Sequence, residues 1–304
     1  MSASVRSPRL APATSPSRRR ARTRVQSPRL ASVSGVTTFA IANQKGGVGK
    51  TTTAVNVAAA VAGSGIPALL VDLDPQCNAT VSLGQPRTLR PNTYDVLCAT
   101  ASAAAAIHET PVDLLSLMPS GVALAGATVE LPAIPGSERR LRDALAPVRG
   151  RFGYVLIDCP PSLGPLTVNA LVAADAVIVP VQTEYFALEG LAQVLETIEL
   201  IRRELNPALR VAGMVMTMHD ARTRLGRDVE RDVREHFPGL VFETVVPRNI
   251  RLSEAPSFGV PVTLHDPYCA GTAAYLSLAR ELVARTRATA ASSVAPHSAG
   301  STSA

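Results

Sequence analysis

The feature that most constrains this chain is a turn. An apolar, β-rich run at Thr38–Asn43 passes through Gly46-Gly47-Val48-Gly49-Lys50-Thr51-Thr52 into a helical pattern at Thr53–Val61. Glycines here let successive backbone N–H groups curl around an anion, and a helix beginning at that point adds the positive end of its dipole. Lys50 is then spaced to reach the β- and γ-phosphates of a nucleotide, and the Thr51 hydroxyl to meet Mg2+. A glycine turn alone would report no more than close packing. The Lys-Thr pair in a strand–loop–helix setting makes nucleotide binding the reading that these residues favour.

The pattern around that turn repeats along the chain. Thr38–Asn43, Ala68–Asp72, Leu114–Met118, Tyr154–Asp158, Ala176–Pro180, Val211–Met216 and Phe242–Val246 read as short buried strands. Their nearly continuous apolar character suits strands covered on both faces. Helical patterns lie between them, the clearest from Glu184 to Leu205, where Leu188, Leu191, Leu195 and Ile198 share a face and Pro207 marks the stop. Such alternation predicts an α/β fold, a doubly wound, mostly parallel sheet with helices on both faces. The folded unit is expected over residues 36–287, with no internal boundary. A basic disordered arm is expected at 1–35 and a disordered tail at 288–304.

Two sets of carboxylates fall where such a sheet would present them. Tyr154-Val-Leu-Ile-Asp158 ends a buried strand with an acid, followed by a Cys-Pro-Pro-Ser turn at the edge where ligands bind in doubly wound folds. Alone, Asp158 reads as a helix cap; paired with the phosphate loop it reads as meeting the metal or its water shell. In Val71-Asp-Leu-Asp-Pro75, period-2 spacing puts Asp72 and Asp74 on one side of the strand end. Two close acids there can order a water and the metal shell, or one of them can cap the helix after Pro75.

Charge is distributed unevenly. The chain carries +6 overall, but residues 1–35 hold eight arginines and no acid, which leaves the remaining 269 residues at −2. The arm contains Ser-Pro-Arg-Leu-Ala twice, at Ser7–Ala11 and Ser27–Ala31, around Arg18-Arg19-Arg20. It reads as an electrostatic tether for nucleic acid or as a solvating tail. Four prolines argue against the amphipathic helix of a transit peptide. Cations are almost all arginine; the two lysines are Lys45 and Lys50, both at the glycine turn. Cys77, Cys98, Cys159 and Cys269 form no CxxC pair, which favours reduced thiols over a zinc or iron–sulfur site. No apolar run reaches the roughly 20 residues of a membrane-spanning helix.

Taken together, Lys45-Gly-Gly-Val-Gly-Lys50-Thr-Thr-Thr53 resembles the deviant Walker A motif of the ParA/MinD ATPases, in which a signature lysine precedes the glycines. The resemblance extends through Val71–Gln76, Ile157–Ser162, Pro180–Glu184, Asp220–Thr223 and Pro247–Pro256, and covers about Val36 to Arg285. Its last two motifs point to the chromosomal, Soj-like ParA branch. One departure is Cys77, which stands where the family usually has glycine.

The resemblance implies a set of roles. ATP and Mg2+ would be the ligands, with Gly46, Gly47, Val48, Gly49 and Lys50 on the phosphates and Thr52 on the α-phosphate. Thr51 would ligate the metal directly, Asp72 and Asp158 would support its shell, and Asp74 would position the attacking water. Thr217 and Met218, with Pro247, Arg248 and Asn249, would hold the adenine. Lys45 would cross to the partner subunit of an ATP-bound homodimer, as an arginine finger does. Arg222 and Arg251 would bind DNA without sequence preference. Arg224, Arg227, Arg231 and Arg234 interleave with acids and read instead as a salt-bridged face. The implied protein is a cytoplasmic, nucleoid-associated partitioning ATPase working with a ParB-like protein. A related ATPase that positions a protein cargo on nucleoid or membrane is the alternative, and stable membrane association is not expected because the end from Ser292 lacks an amphipathic basic helix. An iron-protein-like electron carrier would need bridging cysteines, and the chain offers only Cys159 nearby. A non-hydrolysing DNA scaffold is disfavoured by Asp74.

Overall fold

The computed structural model describes residues 36–184 and 187–294. The expected arm at 1–35 and residues 295–304 of the expected tail lie outside the described residues. The strands are β1 (Thr37–Ile41), β2 (Ala68–Asp72), β3 (His108–Glu109), β4 (Leu115–Met118), β5 (Tyr154–Asp158), β6 (Ala176–Gln182) and β7 (Arg210–Thr217). They form one sheet in the order β3-β4-β2-β5-β1-β6-β7. All neighbours pair in parallel except β3 with β4. The fold is thus the α/β, mostly parallel, doubly wound architecture that the alternation predicts.

Side-chain parity explains why both faces of the sheet are covered. In a strand, successive residues point to opposite faces. Phe39, Ile41, Leu70, Tyr154 and Leu156 join a core with the helices Lys50–Gly63 and Ala270–Val294. Ala40, Leu69, Val71, Val155 and Ile157 join the opposite core, with Pro165–Ala173, Ala187–Glu204 and Arg224–His236. Every residue of β1, β2 and β5 is buried, which is why these segments read as unbroken apolar runs rather than alternating ones. The central position of β1, between β5 and β6, brings the glycine turn to the middle of the sheet's C-terminal edge.

Two expectations need correction, and one short strand carries no expectation at all. Phe242–Val246 forms no strand. It runs beside β7, where Phe242 N donates to Met214 O and Val246 N to Met216 O. The ladder is interrupted because Glu243 N and Thr244 N donate to the Glu281 carboxylate at 2.8 and 3.0 Å instead. The two-residue antiparallel β3 carries no sequence pattern long enough to detect. The region from Ala288, expected to be disordered, stays helical to Val294, because its Ala, Ser and Thr residues carry no breaker and continue a helix already anchored by Tyr275, Leu278 and Leu282.

Candidate nucleotide site

The glycine turn leaves β1 and ends in the helix Lys50–Gly63, whose N-cap is Gly49. Gly47 and Gly49 have φ of +77° and +86°, a region that other residues enter only at a cost. A Cβ added at Gly46 or Gly47 would meet nothing within 4 Å, so open space lies beside both glycines. The turn is tied down at its base: Asn43 Nδ2 donates to Pro180 O at 2.8 Å and Asn43 Oδ1 accepts from Lys45 N at 3.0 Å. Lys50, 7% exposed, donates from Nζ to Lys45 O at 2.9 Å. Burial pushes its pKa down, and Asp158 is the largest opposing influence. Lys45 points elsewhere, with Nζ 2.6 Å from Glu184 Oε2.

Below the turn, the acids occupy neighbouring strand ends. Asp158 is the register partner of both Ile41 and Asp72. The parity of β2 and β5 turns both carboxylates to the face of the Lys50–Gly63 helix. Asp72 is fully engaged: Oδ2 accepts from Thr80 Oγ1 at 2.6 Å and Thr80 N at 2.8 Å, and Oδ1 from Asp74 N at 3.1 Å. It therefore anchors the turn and short helix Asn78–Ser82, as a cap would. Asp158 differs sharply. Both of its oxygens are buried with no hydrogen-bond partner among the described residues. Burial, then Asp72, pushes its pKa well up, and the Thr51 side chain draws it back. Burial likewise raises Asp72, to about 6.

Asp74 lies past the strand end, buried, with Oδ1 accepting from Gln76 N at 2.9 Å and its carbonyl held by Ser120 Oγ at 2.7 Å. Cys77 completes this loop with φ +56°. That left-handed backbone explains why glycine is usual at the position, and the fully buried thiol donates to Pro75 O at 3.3 Å. Thr51 and Thr52 are half-buried and line a cleft of about 250 Å³ with Asn78, Val81, Leu252 and Pro261.

The expected base segment is brought to the same edge. Thr217 Oγ1 donates to Val48 O at 2.8 Å, and Met218 lies beside Gly49. Pro247–Asn249 runs alongside, with Arg248 N donating to His219 O at 3.0 Å. Asn249 uses its side chain to cap the helix Ile250–Glu254 through Arg251 N. Arg222 and Arg251 are both at the surface and both paired: Arg222, 90% exposed, forks onto Asp220 at 2.9 and 2.8 Å, and Arg251 contacts Glu254 and Asp266. The arginine row on Arg224–His236 is the salt-bridged face expected, with Arg224, Arg231 and Arg234 on carboxylates and Arg227 on Ala221 O. Residues missed by the sequence reading are Thr80, Ser120, Glu184 and Tyr275, whose hydroxyl lies 3.3 Å from Thr53 Oγ1. Ser120, Glu184 and Tyr275 act across 46, 139 and 222 positions, while Thr80 lies only eight positions from Asp72.

A glycine cradle at a helix N-terminus, a buried lysine under it and acids at the adjacent strand ends define a P-loop nucleotide-binding protein. The chain matches the AAA domain family model over residues 36–211. It is 53% identical over 252 residues to the chromosome partitioning protein ParA of Caulobacter vibrioides, covering 82% of this chain and 94% of that protein. It is 50% identical over 247 residues to the sporulation initiation inhibitor protein Soj of Bacillus subtilis, covering 81% and 98%. Among solved structures, cobyrinic acid a,c-diamide synthase from Mycobacterium smegmatis, with bound ADP and magnesium, aligns with a TM-score of 0.71 at 38% identity, covering 81% of this chain and 93% of that one. The chain belongs to the ParA/MinD family of P-loop proteins. Among the described residues no helix is long and apolar enough to cross a membrane.

Proposed function

We propose that this protein hydrolyses ATP, dimerises in the ATP-bound state, binds DNA without sequence preference as that dimer, and partitions chromosomal or plasmid DNA together with a ParB-like protein. It would act in the cytoplasm on the nucleoid. The observation that carries the reading is the convergence of an open glycine cradle, the buried Lys50 and the unpartnered Asp158 carboxylate at one sheet edge. Relatives named as chromosome partitioning proteins support the cellular role.

The residues divide the work as follows. Gly46–Gly49 offer backbone N–H groups to the β- and γ-phosphates and Lys50 neutralises them. Thr52 meets the α-phosphate, and Thr217–Met218 with Pro247–Asn249 flank the adenine. The Thr51 hydroxyl and the Asp158 carboxylate suit Mg2+, since a fully buried carboxylate beside a second acid needs a cation or a proton. When bound, Mg2+ supplies charge neutralisation on the phosphates. Asp72 supports this arrangement from behind, by holding the loop that carries Asp74. Asp74 orients the attacking water. Lys45 leaves Glu184 to reach the nucleotide of the second subunit.

Asp74→Ala tests the catalytic assignment. It should abolish ATP turnover while ATP-dependent DNA binding survives; retained turnover would refute the role of Asp74.

A further inference from the structure

His219 occupies the point where the base segment meets the Asp220–Thr223 turn, and its surroundings give it more to do than fill space. Its backbone is clamped on both sides: N donates to Val246 O at 3.1 Å, and O accepts from Arg248 N at 3.0 Å. Its ring is only 9% exposed. Nε2 lies 3.4 Å from Glu230 Oε2 on the helix Arg224–His236, and the buried Nδ1 has no hydrogen-bond partner among the described residues. Nothing on the Nδ1 side therefore competes with Glu230 for the orientation of the ring.

The helix reached in this way is rigidly joined to the turn that carries Arg222. Thr223 caps it through Gly226 N at 3.1 Å and donates from Oγ1 to Asp220 O at 2.9 Å. A Cβ on Gly226 would lie 2.7 Å from that same Asp220 oxygen, so only glycine permits the close approach. Turn and helix form one body with two attachments to the base segment, the main chain at 219–220 and the His219–Glu230 contact. The helix also packs Val229 and Val233 into the core, and the His219–Glu230 contact is the side-chain link that joins it to the base segment. Met218, just before, has φ +51°, a strained backbone that persists only where its surroundings hold it. On the far side, Glu230 also accepts from Arg234 Nε at 3.0 Å, and Arg234 reaches Glu243. The remaining charges near the turn, Asp220 and Arg222, satisfy each other.

We propose that His219 is a positioning residue that, through Glu230, transmits nucleotide occupancy at Thr217–Met218 to the orientation of the Arg222 turn. The inference rests on the proposed reading that this protein couples ATP to DNA binding. The physical requirement is a two-point connection between two bodies, each of which faces one ligand.

The test measures DNA affinity of the full chain with Mg2+-ATP and with Mg2+-ADP, and ATP affinity without DNA, for wild type, His219→Phe, His219→Gln, Glu230→Gln and the double variant His219→Phe/Glu230→Gln. Wild type showing no nucleotide dependence would refute the proposed function itself. Given that dependence, the ATP/ADP affinity ratio should fall about tenfold in His219→Phe and in Glu230→Gln, with ATP affinity in the absence of DNA within about twofold of wild type. The double variant should fall no further than either single one, and His219→Gln, which keeps an N–H facing Glu230, should restore most of the ratio. Glu230 is partly exposed, at 25%, so Glu230→Gln carries the test even where a His219 variant fails to fold. An unchanged ratio in Glu230→Gln, or additive losses in the double variant, would overturn the proposal.

Discussion

Lys45 Nζ and Glu184 Oε2 lie 2.6 Å apart within one subunit, although 139 positions separate them in the chain. The ammonium that the proposed dimer directs at a second nucleotide is thus held in cis by its own chain. Both side chains are close to half exposed, at 41% and 46%, so water screens the pair and its exchange for a phosphate costs little. Glu184→Gln should tighten ATP-dependent self-association by about two- to fivefold, read by analytical ultracentrifugation. Unchanged or weaker association would show that the cis pair does not compete with the dimer.

The unpartnered Asp158 predicts an opposition between stability and function. Its pKa and that of Asp72 are raised in the folded protein, chiefly by burial. The folded state therefore binds more protons than the unfolded chain above about pH 4. Stability without nucleotide should fall as pH rises from about 4 through 6 and beyond. Asp158→Asn should flatten that dependence and stabilise the nucleotide-free protein at pH 7.5 by roughly 1–3 kcal/mol, while Mg2+-ATP hydrolysis is lost. Denaturant titrations at pH 5 and 7.5 measure this; a variant less stable at both would contradict the electrostatic account.

Two glycines face each other where the Asp72–Gly84 loop meets the C-terminal part of the chain. Gly259 has φ +65°, and a Cβ there would sit 2.8 Å from Gly84 Cα; a Cβ on Gly84 would meet Gly259 O at 3.1 Å. Gly259→Ala should cost about 2–4 kcal/mol, from backbone strain and a backbone clash together. Gly84→Ala should cost less, because its nearest contact is longer. Equal or reversed losses in chemical denaturation would mean that this contact yields freely.

How much of this was legible in the sequence depends on separation along the chain. Gly46–Thr52, Asp72, Asp74 and Asp158 are readable because each sits at a strand end whose apolar run is itself readable, and the first six expected strands match to within two residues at either end. Cys77 shows as an oddity in sequence and as a left-handed residue in structure. What could not be read is made by distant partners. The helix-capping alternative for the Asp72–Asp74 pair was legible, but which acid would take it was not. Thr80 binds the Asp72 oxygens while those of Asp158 stay without a hydrogen-bond partner among the described residues, a split that emerges only in three dimensions. Phe242–Val246 has a strand's composition, but Glu281, far along the chain, claims the amides a ladder would use. Beyond Ala288 the composition resembles a disordered segment, yet the preceding turns of helix are buried and carry it on.

The central claim is that ATP binding at this site controls a DNA-binding surface built from Arg222 and Arg251. It is tested most directly by titrating duplex DNA against the full chain with Mg2+-ATP and with Mg2+-ADP, for wild type and Arg222→Glu/Arg251→Glu. Any basal affinity contributed by the arginines of residues 1–35 would be common to both nucleotide states and both proteins, so the informative quantity is the increment that ATP adds. The account predicts a clear increment in wild type, lost in the double variant while ATP-dependent dimerisation is retained. An increment of the same size in the double variant would contradict it.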